Sequence, residues 1–276
     1  MNYKKILLSA VGSFSEAFFP TKCLACGSFF NLSEKLNARR RKTLKSISDL
    51  SWQNQISRFF CGKCTDGFTK VESPFCLQCG IMFESRSGEN HLCGRCIKSP
   101  GAFRTARSAG LYEGALMEAI HCLKYKGKLQ LSEPLGALLC SVFMRHWDKG
   151  CIDMMIPVPL HIKRFRKRGF NQSYLLAASC KKIASVFNFG VSDLKICKDV
   201  LYRKKPTHQQ TGLDREKRID NMKNAFGLKN PSEIRGKKIL LVDDVFTTGA
   251  TANSCAKALI KGGAAYVDVL TLAQTL

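Results

Sequence analysis

Two adjacent carboxylates, Asp243 and Asp244, follow the apolar run Ile239 to Val242, and a loop of hydroxyls and glycine, Thr247-Thr248-Gly249-Ala250-Thr251, comes just after them. An apolar run of this kind reads as a buried strand, so the paired charges at its end require a partner. Two acids suit the hydroxyls of a ribose, or a divalent ion with its waters. Hydroxyls, a glycine and free backbone N–H groups at a helix start form an anion site of the kind a phosphate occupies. Together they describe a site for a sugar phosphate. No G-x-x-x-x-G-K-[ST] run is present, which argues against a P-loop nucleotidase.

Cysteines form the second chemical constellation. Eight of the 14 lie in four C-x-x-C pairs: Cys23 and Cys26, Cys61 and Cys64, Cys76 and Cys79, Cys93 and Cys96. One such turn brings two thiolates to a metal, and two turns complete a tetrahedral site, so the eight predict two structural Zn2+ ions. The order CLACG…CGKC, CLQCG…CGRC reads as a repeated unit. It assigns Cys23, Cys26, Cys61 and Cys64 to one ion and Cys76, Cys79, Cys93 and Cys96 to the other, although a crossed pairing uses the same thiols. Gly27 and Gly80 follow the first turn of each unit, where the chain needs a positive φ. His91 offers an alternative ligand and otherwise reads as a surface residue. Disulfides are disfavoured because no secretion signal accompanies the cysteines.

Forty-four Lys and Arg against 21 Asp and Glu give a formal charge of +23, which favours a polyanionic partner, nucleic acid before an acidic membrane surface. No apolar run approaches the ~18 residues of a membrane span. The N-terminal MNYKKILLSAVGSFSEAFFP is broken by Gly12 and Glu16 and reads as an amphipathic helix stopped by Pro20 rather than a signal peptide, so a cytoplasmic protein is expected. Between Cys26 and Cys61 the run Arg39, Arg40, Arg41 offers charge to a phosphate backbone, or else forms a solvated loop. Five of the eight residues His161 to Arg168 are basic, interrupted by Phe165. Lys163, Arg166 and Lys167 with Phe170, extended by Lys124 and Lys126, form a candidate single-strand track of charge with aromatic groups for stacking.

These residues need a scaffold. RTARSAGLY reads as a strand leading into a helix over EGALMEAIHCLKY, and a second helix is expected from Leu131 to Trp147 with Pro134 in its first turn. IDMMIPVP is a β-biased run, and Asn171 caps a helix over NQSYLLAASCKKIASVF. LKICKDVLY reads as a strand and LDREKRIDNMKNAF as a short polar helix. Lys237 to Val242 leads into the acidic pair, and a helix from about Ala250 to Ile260 and a last strand, AYVDVLTLA, come next. Strands alternating with helices predict an α/β fold with a mostly parallel sheet covered on both faces. Its ligands collect at the carboxyl ends of the strands. A cysteine-rich module over residues 1–100 precedes this domain of residues 101–276.

IPVPLHIKRFRKRGFNQ, the Gln and Arg residues of THQQTGLDREKR, and ILLVDDVFTTGAT occur in an order that resembles the ComF family. GLYEGALMEAIHCLKYKG and the C-x-x-C pairs fit the same family, so the likeness covers nearly the whole chain. The resemblance implies a type I phosphoribosyltransferase-like fold behind a zinc module. It makes Asp243 and Asp244 the ribose-hydroxyl and Mg2+-linked acids of a phosphoribosyl pyrophosphate (PRPP) site. Thr247, Thr248, Gly249 and Thr251 become its 5′-phosphate loop, with Val242 and Ala250 alongside. Pro157 and Val158 would face the pyrophosphate, and Thr207 to Arg218 would correspond to a mobile loop over the substrate.

The likeness implies two functions. One is the handling of incoming single-stranded DNA during natural transformation, alongside DNA-uptake proteins. The other is phosphoribosyl transfer in nucleotide salvage or a related pathway with an unassigned acceptor; for that reading, the charges of Arg164, Arg168 and Lys124 suggest cations around the pyrophosphate. No hood that would select a base is recognisable.

Overall fold

The computed structural model describes residues 21–30, 44, 46–85, 87–204 and 225–276. The helix expected before Pro20, the run Arg39 to Arg41 and the loop Thr207 to Arg218 lie outside these residues.

Each cysteine unit is built alike. In the first, strands β1 (Thr21–Lys22) and β2 (Phe29–Phe30) pair antiparallel around the CLAC turn. Helix α1 (Trp52–Ile56) comes next, and α2 (Gly62–Asp66) starts directly on Cys61. In the second unit α3 (Gly94–Lys98) starts in the same way on Cys93. Gly27 and Gly80 have φ of +74° and +70°, as the turn spacing demands. At Gly80 a Cβ would stand 2.5 Å from the Ala106 carbonyl oxygen, so only glycine lets the second unit lie against the sheet.

The α/β part runs β3 (Ala106–Leu111), α4 (Gly114–Tyr125), α5 (Ser132–His146), β4 (Met154–Pro157), α6 (Ile162–Arg168), α7 (Gln172–Val186), β5 (Lys195–Ile196), β6 (Leu201–Arg203), β7 (Phe226–Leu228), β8 (Lys238–Phe246), α8 (Ala250–Lys261) and β9 (Tyr266–Gln274). Five strands form one sheet in the order β3-β9-β8-β4-β5, all parallel. The central strands β8 and β9 are apolar along most of their length because helices cover both faces. Leu240, Val242, Leu270 and Leu272 point into a core with α4, α5 and α7, whereas Ile239, Leu241, Val267 and Val269 point into a second core under α8.

The cysteine units are welded to this sheet. Leu50, Trp52, Ile56 and Phe60 belong to the first core, and Cys76, Cys79 and Cys96 to the second. Thr69 to Val71 runs antiparallel beside β3, with Leu111 N donating to Thr69 O at 2.8 Å and Val71 N to Ala109 O at 3.1 Å. That segment covers the open edge of β3, which would otherwise expose unpaired backbone groups. No helix among the described residues is long and apolar enough to cross a membrane.

Three expectations need correction. LKICKDVLY is not one strand: β5 joins the parallel sheet, whereas β6 pairs antiparallel with β7, with the charged CKD segment between them. Most of LDREKRIDNMKNAF lies outside the described residues, but its last residue, Phe226, starts β7 rather than ending a helix. The strand holding the acidic pair does not stop at Val242. It continues through both acids to Phe246, because β9 runs parallel beside it and pairs as far as Phe246 with Gln274.

Candidate functional site

The carboxyl ends of β4 and β8 lie side by side, with Pro157 opposite Val242. The segments leaving these two strands build the site. After β4, Val158 N donates to Val242 O at 2.9 Å, fixing the turn. The chain then makes α6, ends it at Gly169 and starts α7 on Asn171, whose Oδ1 caps Ser173 N and Tyr174 N. Asn171 Nδ2 also donates to Val158 O at 3.1 Å, tying the α7 start to the β4 end. Pro157, Val158 and Val242 are buried, so they shape the site through backbone and packing.

The first turn of α7 meets the acids. Ser173 Oγ donates to Asp243 Oδ1 at 3.0 Å, and Gln172 Nε2 to Asp244 Oδ2 at 2.8 Å. Gln172 is itself held by Arg168, whose guanidinium lies 5.3 Å from the Tyr125 ring centroid. From the end of α4, Lys124 reaches in to Asp244 Oδ1 at 2.7 Å, with the two side chains 14% and 7% exposed. Lys124 is therefore part of the acid site and not of the outer basic surface. Although burial opposes its charge, the Asp244 carboxylate raises Lys124 above the ordinary lysine value. Burial, reinforced by the charge of Asp244, pushes Asp243 up to about 7.

Gln172 and Ser173 were not singled out as acid partners in the sequence. The signal was their place behind the capping Asn171: side chains of a helix lean toward its N-terminus, and Asn171 ties that end to the close of β4, beside the end of β8.

Across the site, Thr247 to Thr251 enters α8. Gly249 is the N-cap residue at φ +76°, and Thr248 Oγ1 accepts from Ala250 N at 3.3 Å. A Cβ at Gly249 would stand 2.7 Å from the Phe246 ring. Gly249→Val is expected to cost at least about 1–2 kcal/mol from the left-handed backbone alone, with the ring clash in addition. Urea unfolding checks this, and an unchanged midpoint would mean that the loop tolerates another conformation.

The remaining basic candidates stand apart. Helix α6 buries none of its residues, so Lys163, Arg166 and Lys167 face outward. Lys126 also lies outside, paired with Glu118 at 2.5 Å. Phe170 packs partly against the first core, which withdraws much of its ring from stacking. Arg164, on α6, is half-buried.

The cysteines gather as Cys23, Cys26, Cys61, Cys64 and as Cys76, Cys79, Cys93, Cys96, each set with its sulfurs within 4.8 Å of one another. Cys26 and Cys61 Sγ are 3.8 Å apart, and Cys79 and Cys93 Sγ 3.7 Å. A tetrahedron with metal–sulfur arms of about 2.3 Å has edges of about 3.8 Å, so both sets could hold zinc. The units repeat down to single bonds: Cys61 N donates to Cys23 Sγ at 3.4 Å, and Cys93 N to Cys76 Sγ at 3.3 Å. Hydrogen bonds from Ser28 lower Cys26 to about 6. Burial opposes ionisation of Cys76, but backbone N–H groups led by that of Cys93 bring it to about 6. Thiols so disposed lose protons readily to a metal. His91 stays outside, stacked on Phe83 at 4.1 Å.

A parallel sheet with an acidic pair and a hydroxyl loop at its carboxyl edge defines a phosphoribosyltransferase-type protein, and residues 180–275 match the phosphoribosyl transferase domain family. The DNA utilization protein YhgH of Shigella flexneri is 32% identical over 220 residues, covering 78% of this chain and 90% of that protein. Competence protein F of Haemophilus influenzae is 30% identical, covering 77% and 90%, and competence protein ComFC of Bacillus subtilis 28%, covering 78% and 84%. The chain belongs to the ComF family.

Proposed function

We propose that this protein handles single-stranded DNA during DNA uptake in the cytoplasm and carries a PRPP or similar ribose-phosphate site. The two cysteine units, within residues 1–100, serve as a zinc-bearing structural module with one Zn2+ each, and residues 101–276 carry the sugar-phosphate site. The observation that carries the reading is the pair Asp243–Asp244 held by Ser173 and Gln172 opposite the Thr247–Thr251 loop. The relatives' names, DNA utilization and competence protein, bring DNA to the reading, and the exposed basic face of α6 agrees with it.

The acids suit Mg2+ with the ribose hydroxyls, and a bound magnesium would neutralise charge on the pyrophosphate. Lys124 already provides a cation there, so it must share Asp244 or yield it when the ligand enters. Arg168, bonded to Gln172, would offer the pyrophosphate a cation from the α6 side, with Arg164 on the same helix as a second.

The match to the phosphoribosyl transferase domain favours a second reading, transfer from PRPP to a nitrogen acceptor. It would require positioning and charge stabilisation rather than covalent catalysis. Pyrophosphate release with one acceptor base, lost in Asp244→Asn, is its signature.

Calorimetry with magnesium and PRPP tests the site. Wild type is expected to bind, and Asp243→Asn/Asp244→Asn is expected to lose binding while a melt confirms that it is folded. Equal binding by both would sink the assignment of the acids.

A further inference from the structure

A groove of about 920 Å³, not lined by the acidic pair, runs across the solvent face of α8. Its floor is Ala250, Ser254, Ala258 and Gly262, which recur one turn apart on a single helix face and are all small. The second cysteine unit walls one side with Arg95. The paired strands β6 and β7, with the segment after β7, wall the other with Lys204 and Arg235. Lys257 and Lys261 rise beside the floor. Among the described residues, five cations thus line the groove and no carboxylate does.

Among the described residues, Lys204, Arg235, Lys257 and Lys261 form no ion pair, and all four are exposed. Like charges gathered between low-dielectric walls repel one another and focus a positive potential, which an anion relieves. The floor follows the 12 residues of α8, roughly 18 Å at 1.5 Å per residue, more than one phosphate group needs. The aromatic rings at the walls, Phe103, Phe226 and Phe246, are buried and present no face for stacking. Recognition in this groove is therefore of a charged backbone and not of bases. Small floor residues let such a backbone approach closely. One end of the groove is formed by Thr248, Gly249 and Ala250 of the phosphate loop, so an occupant would abut the sugar-phosphate site.

We propose that this groove is the track for the sugar-phosphate backbone of single-stranded DNA, an assignment that rests on the DNA-handling reading and replaces the α6 face as the main contact. The test is fluorescence anisotropy of a labelled oligothymidine with the full-length protein over a series of salt concentrations. Four proteins are compared: wild type, Lys257→Ala/Lys261→Ala in the groove, Arg166→Ala/Lys167→Ala on α6, and Arg145→Ala/Lys149→Ala at the end of α5, on the opposite face of the sheet. All six side chains are exposed, so the folds should persist.

For a single strand the salt slope falls by about 0.7 per lost phosphate contact, so the groove variant should lose about 1.4. That corresponds to roughly 25-fold weaker binding at 0.1 M salt if the ionic contribution vanishes at 1 M. The α5-side variant should stay near wild type. A groove variant that binds like wild type, or a loss shared equally by all three variants, overturns the track while leaving DNA handling intact. No binding by wild type overturns both.

Discussion

Cys76→Ser is expected to remove one bound zinc ion and to unfold far more than its own turn. The second cysteine unit is a structural part of the sheet edge. Ala106 N donates to Gln78 O at 2.6 Å, Gln274 Nε2 to Gly80 O at 2.9 Å, and Gln78 Nε2 to Phe103 O at 3.0 Å. Arg95, from the turn that supplies Cys93 and Cys96, reaches the Thr248 carbonyl of the loop that enters α8. Cys76, Cys79 and Cys96 are buried, and burial pushes the Cys79 and Cys96 thiols up, so without a metal the cluster sets thiolate-prone Cys76 against neighbours that resist ionisation.

Structural zinc contributes on the order of 10–16 kcal/mol in small metal-bound folds, against total stabilities of about 5–15 kcal/mol. Even a fraction of that loss should bring the melt near ambient temperature. Cys26→Ser removes an exposed ligand of the first unit and should cost less. Metal content and thermal melting of purified variants decide the matter. Wild type should carry about two zinc ions, and a Cys76→Ser protein with unchanged metal content and melt would refute the structural role.

Much of this was legible in the residues. The eight cysteines announced their sets because C-x-x-C spacing is a local geometric requirement, and the glycine after each first turn announced its positive φ. The long apolar runs of β8 and β9 announced a sheet buried on both faces. Harder to read were features that depend on distant neighbours. That β8 carries its acids inside the strand depends on β9, and that Lys124 turns inward depends on α4 packing over the end of β8. In sequence, LKYK looks like a surface charge cluster; in the fold, Lys124 and Lys126 go to opposite environments because Lys124 lies in the last turn of α4 and Lys126 caps its end. The α8 groove was illegible for the same reason, since its walls come from three separated segments.

Lys124→Met is the second large effect, and its dependence on pH makes it specific. The substitution leaves Asp244 buried without its cation, beside an Asp243 already resisting ionisation. Breaking a buried pair from one side costs about 3–5 kcal/mol, which for a chain of this size lowers Tm by on the order of 10 °C. Asp243 sets the pH dependence. Its folded value, about 7, lies above the ordinary 3.8, so its contribution to stability is complete below about pH 4 and is lost as pH rises through 7. Lys124 lowers Asp243, so without it the folded value moves higher and stability continues to fall above pH 7.

The variant's deficit should therefore be smaller at pH 5, where Asp243 is protonated in both proteins, than at pH 8. Lys124→Met/Asp244→Asn, which removes both charges, should recover much of the loss, since an uncompensated carboxylate and not a missing contact is the cause. Melts of the three proteins at pH 5 and pH 8 separate these outcomes. A deficit equal at both pH values, or a double variant no more stable than the single one, would mean that Lys124 acts through packing of its stem and that the acids do not need its charge.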